Sequence, residues 1–599
     1  MMIGGYDLMG IRRKQKEDKL IRRLFLSSLF VFFLSNLTSS LGSIVDGLVI
    51  GNNMNTDSLA AFSIISPLGY VFAIIGSILG SGVTAACTIA LGKNEVDRAK
   101  SLFSLAFFTG VGLSVLVAIF FFLFADPILV QLGAERGSAL FLSAKEYLIG
   151  YVIGLPALTA TKLLSSIMPL DGDRRRTFIS TVTMTLVNIT GDFLCIYLFH
   201  AGLAEIALVT SISYYAAFII LMLHFRKKDA MFHLVFRRPD WKALGRMSYK
   251  GLPMGVSRVT SSINGIVVNK VLVGISAVAV AGYAVTSNLS FLVRAVILGS
   301  AQAFMVLCAV YHAEKNKRSM MKLTKLTVIV ELVLAGSVAL LMFAGAPLIA
   351  RIYLGKNSDA YAAGISAIKW TAAGLLFYGF NILFADYLQL SGRILAANLV
   401  YVLEDVLFTT VLILTLSGAF GTGGAYAAIA AANLAMFICI PLFVMIVNRR
   451  PIRKAEDFLM FGDDFNIRAA DEITRSIANR NALIKATAEI LEFCRRKGID
   501  EWTATKVCLA MEELGCNIIE YGFPYGRNHS IELRLIIKAP DDITMLVRDD
   551  CRPFNPKERY KFLTTDDPTA NIGIRLVMAI AKDVEYSSTL GLNNLTVKL

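Results

Sequence analysis

Long apolar runs, each broken by a short charged, glycine-rich or proline-containing segment, recur from Leu24 to Val447 and then stop. Each is long enough to cross about 30 Å of hydrocarbon. They predict twelve spans, at 24–50, 59–91, 101–124, 140–167, 177–199, 203–225, 250–274, 278–311, 326–345, 361–391, 394–417 and 423–447. Past Asn448-Arg449-Arg450-Pro451 the pattern changes to that of a water-soluble domain. Helical periodicity runs from about Asp471 to Arg496 and from Glu501 to Tyr521, and Ile531–Ile537 and Ile543–Val547 alternate as antiparallel strands. The predicted fold is a polytopic all-α membrane protein of twelve transmembrane helices followed by a C-terminal cytoplasmic α+β sandwich. Its segments are a basic N-terminus (1–23), a first six-helix lobe (24–225), a basic inter-lobe loop (226–249), a second six-helix lobe (250–447), a linker (448–464) and the soluble domain (465–599).

Composition agrees: 55% of the 599 residues are hydrophobic, 17% are charged, and the mean hydropathy is +0.61, outside the balance of a soluble protein. The net charge of +14 is not one basic surface, because the residues from Phe458 onward carry −2 and the remainder +16. The excess sits in short loops at the N-terminus, 93–100, 174–176, 226–250, 315–325 and 449–454, alternating with loops nearly free of it, such as 51–58. That alternation places both termini in the cytoplasm of a multi-pass bacterial inner-membrane protein, with the basic loops against anionic lipids. A nucleic-acid partner is not expected, since the loops lack the stacking aromatics of a nucleic-acid groove. The eight cysteines form no CxxC pair and suggest neither a disulfide framework nor a zinc site. The basic N-terminal segment precedes an apolar run too long for a signal-peptide core and reads as leading into a retained span.

The two halves repeat. Val45-Asp46-Gly47-Leu48-Val49-Ile50-Gly51, leading to Ser66-Pro67-Leu68, is echoed by Val268-Asn269-Lys270-Val271-Leu272-Val273-Gly274, leading to Ser287-Asn288-Leu289. Six spans plus six around a central cavity is the architecture this implies, since two lobes can rock about one site.

An ionisable side chain inside a span costs about 3 kcal/mol or more unless it faces a cavity or a partner. Asp46 and Asp192 both lie roughly 10 Å below the outer rim at 1.5 Å per residue, and can share one cavity. Asn188, four residues before Asp192, projects from the same helix face and can receive the same proton or ion. Two nearby carboxylates in a dry pocket cannot both ionise, which lets one carry a proton. The second half has Asn269 where Asp46 stands, and its own acidic pair, Glu404-Asp405, near the middle of the eleventh span. Substrate contact and structural pairing are both open for that pair, as is plain interhelical hydrogen bonding for the first three.

Residues 20–450 resemble the MATE exporters. The likeness rests on Asp46-Gly47-Leu48-Val49-Ile50-Gly51, Ala60-Ala61, Ser66-Pro67-Leu68, Gly80-Ser81-Gly82-Val83-Thr84, Ala90-Leu91-Gly92-Lys93 and Asn188-Ile189-Thr190-Gly191-Asp192, taken in order. It implies export of small organic, often cationic compounds in exchange for H+ or Na+, with Asp46, Asn188 and Asp192 as coupling residues. Flippases for lipid-linked sugars share the architecture.

Three motifs mark the soluble domain. In Glu512-Glu513-Leu514-Gly515-Cys516-Asn517 the four-residue step puts Glu513 and Asn517 on one helix face, where a carboxylate base and a metal-ligating amide meet a phosphate. Val547-Arg548-Asp549-Asp550-Cys551 follows a strand with a turn, suited to presenting Asp549 to the amino group of adenine. Asn571-Ile572-Gly573-Ile574 opens a helix whose N-terminal amides suit a phosphate. Together with the closing Leu590-Gly591-Leu592-Asn593-Asn594-Leu595-Thr596, these resemble the Bergerat-type ATPases of the histidine-kinase superfamily, in their anti-sigma-factor serine-kinase branch. The resemblance implies ATP and Mg2+, with Glu513 as general base, Asn517 on the metal, Asp549 on adenine, Gly573 in the phosphate lid and Thr596 in the closing segment. It also implies a cytoplasmic protein partner of the anti-sigma antagonist type. Cys551 and Asn571 stand where that family has glycine, and a side chain there crowds the nucleotide or stiffens the lid. Two functions follow as alternatives: an ion-coupled exporter with a nucleotide-binding regulatory module, or a membrane-tethered serine kinase or sensor.

Overall fold

The computed structural model describes the chain except residues 1–20, 39–44, 46–48, 51–55, 93–94, 132–133, 135, 228–229, 237, 314, 355, 357–359, 463–464, 466–468, 523–530, 552–554, 562–571 and 590–591. The first lobe contains α1 (Ile21–Thr38), α2 (Thr56–Gly92), α3 (Val96–Leu123), α4 (Ala125–Gln131), α5 (Ala139–Val152), α6 (Leu155–Ile167), α7 (Arg174–Phe193) and α8 (Leu203–Met222). The second contains α9 (Trp241–Ile275), α10 (Ala277–Ala313), α11 (Lys317–Leu354), α12 (Tyr361–Leu390), α13 (Ile394–Tyr401) and α14 (Thr409–Asn448). Among the described residues nine helices are long and apolar enough to cross a membrane, or ten if a bent pair counts as one. The bent pair is α5 and α6, the single run expected over 140–167, which turns by 42°. Gly154 makes that bend possible, because a Cβ there would lie 2.6 Å from Ser211 Oγ and 2.8 Å from Ser211 Cα on α8. The apolar stretch Ile394–Asn448 is likewise broken, at Gly421 (φ 60°, ψ −138°), a backbone conformation that favours glycine. α9 is long enough to span but is diluted by Lys250, Arg258 and Lys270.

The lobes close on each other on the side that carries the C-terminal domain. α2 and α9 meet backbone to backbone: a Cβ on Gly251 would overlap the Ile78 carbonyl, and one on Gly82 the Met247 carbonyl. Gln389 on α12 bridges the seam, donating to Ser81 Oγ at 2.6 Å and to the Lys250 carbonyl at 2.8 Å. α1 and α10 form the repeat-related contact, where a Cβ on Gly299 would lie 3.0 Å from the Phe33 nitrogen and Asn36 donates to Gln302 at 3.2 Å. On the same side, buried His224 at the end of α8 bonds Asp171 at 2.7 Å and Asp173 at 2.8 Å, tying it to the turn before α7. Burial raises the Asp173 pKa, but hydrogen bonds from Lys227 and His224 outweigh it and hold the carboxyl below its usual range.

The soluble domain begins with a strand, not the helix expected from Asp471. β1 (Glu472–Ile477) pairs antiparallel with β2 (Ile531–Ala539), and β3 (Asp542–Asp549), β4 (Asp583–Thr589) and β5 (Leu592–Lys598) complete a sheet in the order β1-β2-β3-β5-β4. Ile473 and Ile477 explain the misreading, since a spacing of four satisfies both a helix face and a strand face. α15 (Arg480–Arg496) starts only where Asn479 caps it, accepting from the Ala482 amide at 2.9 Å. α16 (Glu501–Asn517) packs beside it, with α17 (Pro556–Lys561) and α18 (Ile572–Ile580) later in the chain.

The two faces of this sheet have different partners. Leu533, Leu535, Met545, Val547, Leu595 and Val597 point to one side and form the domain core with Leu483, Ile490, Val507 and Met511 of the helices. The opposite face, which a free antiparallel sheet gives to water, turns to the membrane domain. Leu592 joins the hydrophobic core of the second lobe, and the Arg548 guanidinium lies 5.3 Å from the ring centroid of Tyr311 on α10. Arg548 also donates to Asn594 at 2.7 Å and pairs with Glu532 at 3.7 Å, and Arg534 donates to Glu472 at 2.6 Å, so both cations on this face have an acidic partner. The segment expected as a linker is a packed strap: Tyr387 donates to the Leu459 carbonyl, Arg393 to the Met460 carbonyl at 3.0 Å, and Phe465 packs on His312. Arg23 of α1 pairs with Asp550, one residue beyond β3.

Candidate functional site

Asp46 lies outside the described residues, so its neighbours in the first lobe carry the geometry. Asn188 and Asp192 are both buried on α7, and the Asn188 amide donates to Asp192 Oδ2 at 3.4 Å. A π-helical turn, Leu194–Leu198, follows directly. The second lobe has the same device: Val402–Phe408 is a π-helical turn, and it holds Glu404 and Asp405. Such turns release carbonyls from the helix ladder, and side chains take them up. Thr409 Oγ1 donates to the Glu404 carbonyl at 2.9 Å, and Asn264 to the Asp405 carbonyl at 3.0 Å.

The two acidic sites stand at different depths. Both fifth helices begin just after a glycine with positive φ, Gly172 (73°) and Gly392 (82°). Asp192 comes 20 residues after the first and Asp405 13 after the second, which at 1.5 Å per residue sets Asp405 about 10 Å closer to the side of the soluble domain. Asp405 Oδ2 accepts from Thr260 at 2.8 Å and Ser261 at 3.2 Å on α9, and Glu404 Oε1 from Asn381 at 3.0 Å on α12. The structure thus splits Glu404 and Asp405 between two neighbouring helices, as the 100° step between adjacent helical residues requires.

Cationic side chains, which the sequence reading passed over, share this region. Arg294 of α10 stacks over Tyr378 at 5.0 Å and lies within electrostatic reach of Glu404 and Asp405. Lys162 of α6 lies along Gly76 of α2, whose Cβ would stand 3.0 Å from its Cδ, and is within electrostatic reach of Arg258 of α9. Buried Glu331 accepts from Ser300, and Asp386 is buried on α12. The signal for all of these was present as charge inside predicted spans.

In the soluble domain, Asp549 ends β3 and is buried, with Oδ1 accepting from Asn593 Nδ2 at 2.7 Å and from the Cys551 amide at 2.9 Å. Burial pushes its carboxyl up, only partly offset by the Asn593 hydrogen bond. The Cys551 thiol is also in hydrogen-bonding range of Asp549, and burial raises its own pKa, so it stays protonated. Its bulk is accommodated by Gly522, where a Cβ would lie 3.1 Å from Cys551 Cβ. Glu513 and Asn517 are partly exposed one turn apart on α16, and Gly573 is in the first turn of α18, which packs on α16. Asn571 lies outside the described residues. Strand alternation turns Thr596 to the face opposite Asp549, and the residue beside Asp549 is Asn593, its direct partner in register. Among the described residues no group of three or more His, Cys, Asp or Glu side chains is placed to hold a metal ion.

Comparison with known proteins follows the same division. The MatE family model matches residues 32–194 and 253–414, once in each lobe, and the model of the histidine kinase-like ATPase domain matches 477–599. Multidrug export protein MepA of Staphylococcus saprophyticus is 24% identical over 434 residues, covering 71% of this chain and 95% of that protein. A mutant of the Vibrio cholerae MATE transporter VcmN superposes with a TM-score of 0.68 at 17% identity, over 74% of this chain and all of that one. A Pyrococcus furiosus MOP superfamily transporter, described as having a binding pocket of reversed polarity, superposes with a TM-score of 0.65 at 19% identity, over 70% of this chain and 94% of that one. With its family model matched once in each lobe and covering more than half of its length, this chain belongs to the MATE family of membrane transporters, extended by a histidine kinase-like ATPase domain.

Proposed function

We propose that the protein is a twelve-span exporter of small organic compounds driven by exchange for H+ or Na+, with both termini in the cytoplasm. The observation that carries this reading is the Asn188–Asp192 pair, buried within the membrane on the fifth helix of a MATE lobe. Asp46 completes the coupling group on sequence grounds, and Glu404 and Asp405 serve the substrate or a second titration step. Export of drugs by the relatives named MepA points the same way. The test is accumulation of a fluorescent organic cation in inverted vesicles under an imposed H+ or Na+ gradient.

A second reading of the substrate has its own observation. Lys162, Arg258 and Arg294 bring positive charge from both lobes into the same region, which suits a substrate with an acidic group. Running an anionic dye beside the cationic one decides between them: selective accumulation of the anion favours this reading.

For the soluble domain we infer ATP binding with a regulatory output. Asp549 would receive the adenine amino group, Asn517 would help hold Mg2+ at the phosphates, and Glu513 would act as the base should a phosphoryl group be transferred. The Cys551 thiol competes with adenine for Asp549, so Cys551→Gly is expected to tighten ATP binding by roughly tenfold, equivalent to about 1.4 kcal/mol. Isothermal titration of the full-length protein checks this; unchanged affinity would mean that the thiol moves aside at no cost.

Regulation has a direct route. The residue after Asp549 pairs with Arg23 of the first transmembrane helix, and the residue before it stacks on Tyr311 of α10. Arg23→Glu is expected to remove any effect of Mg-ATP on vesicle transport, because it replaces the pairing with the buried Asp550 carboxylate by like-charge repulsion and separates the first helix from the domain. A serine-kinase reading predicts instead that Glu513→Ala removes the output and Arg23→Glu does not.

A further inference from the structure

A cavity of about 830 Å³, separate from both sites above, opens between α2, α3 and the start of α9, on the side of the membrane that carries the soluble domain. Arg98, Arg238, Arg246 and Lys250 line it together with two carboxylates, Glu95 and Asp240. Both carboxylates are engaged: Glu95 pairs with Arg98 at 2.6 Å, and Asp240 caps α9 by accepting from the Ala243 amide at 3.0 Å. Positive charge therefore prevails where Arg238 and Arg246 reach in. Aromatic rings complete the lining. Phe236 is 90% exposed and packs edge-on against Phe108 at 5.4 Å, and Trp241 is 67% exposed. The loop that carries Phe236 is not loose, because the Val235 amide donates to Ser104 Oγ of α3 at 2.9 Å.

Guanidinium groups around a cavity suit a phosphate, which they grip with paired N–H donors. Exposed aromatic rings beside such a cavity, at the end of membrane helices, suit acyl chains and the glycerol level of a bilayer. We propose that this cavity binds the phosphate of an anionic amphiphile, a phosphatidylglycerol-type lipid of the adjacent leaflet, with the phosphate between Arg98, Arg238 and Arg246 and the chains along Phe108 and Phe236. Basic pockets between helices on the cytoplasmic side are a physical setting for such headgroups. This inference depends on the chain being a membrane protein and not on what it transports. Bound lipid would link α3 of the first lobe to α9 of the second beside the Gly82–Gly251 contact, since Met247 and Lys250 also line the cavity.

Trp241 is the built-in reporter. In full-length protein carrying Trp370→Phe and Trp502→Phe, Trp241 is the remaining tryptophan, and it can be followed in phosphatidylcholine nanodiscs doped with a small fraction of brominated phosphatidylglycerol or, separately, brominated phosphatidylcholine. The expected result is saturable quenching with at least a fivefold preference for phosphatidylglycerol, reduced to no preference in Arg238→Gln/Arg246→Gln. Full competition by millimolar inorganic phosphate would support the phosphate site while assigning it a soluble source; persistence of the preference in phosphate assigns it to the lipid. Equal quenching by the two lipids, or a preference untouched by the double substitution, would overturn the proposal. A size-exclusion profile and thermal unfolding midpoint matching those of the parent serve as the folding control for the double variant, which keeps this outcome separate from failure of the transport reading.

Discussion

Asp192→Asn is expected to abolish gradient-driven dye accumulation, by at least roughly a hundredfold, while the protein still inserts and folds. The substitution keeps volume and one hydrogen-bonding oxygen, so the Asn188 contact at 3.4 Å can survive. What it removes is the capacity to alternate between a neutral and a charged state. A buried carboxylate is costly when ionised and cheap when protonated or ion-paired, and that difference is what lets an ion gradient bias the lobes between two arrangements. A group that binds a proton or Na+ equally in both arrangements would shift nothing. Asn188→Ala should reduce transport less, because it weakens one ligand and leaves the titrating group. Vesicle uptake with matched protein amounts measures both. Retention of half the wild-type rate in Asp192→Asn would move coupling to Glu404 and Asp405, and the same assay on Asp405→Asn would then show the loss.

Gly251→Val is expected to lower transport at least roughly tenfold by a different route, with the ion-binding residues untouched. The Gly251 Cα faces the Ile78 carbonyl and the Gly82 amide of the other lobe, with no room for a Cβ between them. Small residues permit this kind of close approach between membrane helices. Forcing side-chain atoms into a packed seam costs about 1–3 kcal/mol, enough to shift a two-state balance about tenfold or more. The lobes would then rest apart on the side of the soluble domain. A cysteine placed at Ser81, beneath the Gln389 bridge, should label severalfold faster with an impermeant maleimide from that side, in a background without other reactive thiols. Unchanged labelling together with unchanged transport would show that the seam is not a gate.

Those two residues illustrate what can and cannot be read in one dimension. Asp192 was legible as a carboxylate within an apolar run, because burying charge in lipid has few bland explanations. Gly251 was not, since a glycine in a span carries no mark of what crosses it. Charge within spans could also have flagged Lys162, Arg258, Arg294 and Glu331, yet only their placement shows that Arg294 lies within electrostatic reach of Glu404 and Asp405 while Glu331 accepts from Ser300.

The hydrophobic pattern by itself determined the division into a membrane body and a soluble domain, the repeat, and most helix positions, because transfer of apolar surface into lipid is local and additive along the chain. Motif spacing likewise singled out Glu513, Asn517 and Asp549 as candidates. Short segments needed partners. Glu472–Ile477 became a strand through pairing with β2, and Gly154 bent the run over 140–167 that hydropathy reads as continuous, whereas the break at Gly421 falls between the spans expected at 394–417 and 423–447. The face of β5 that Thr596 occupies, and the docking of the sheet on Tyr311 and Arg23, were decided by tertiary structure alone. Contacts between residues hundreds of positions apart depend on shape and register, which composition and periodicity do not encode.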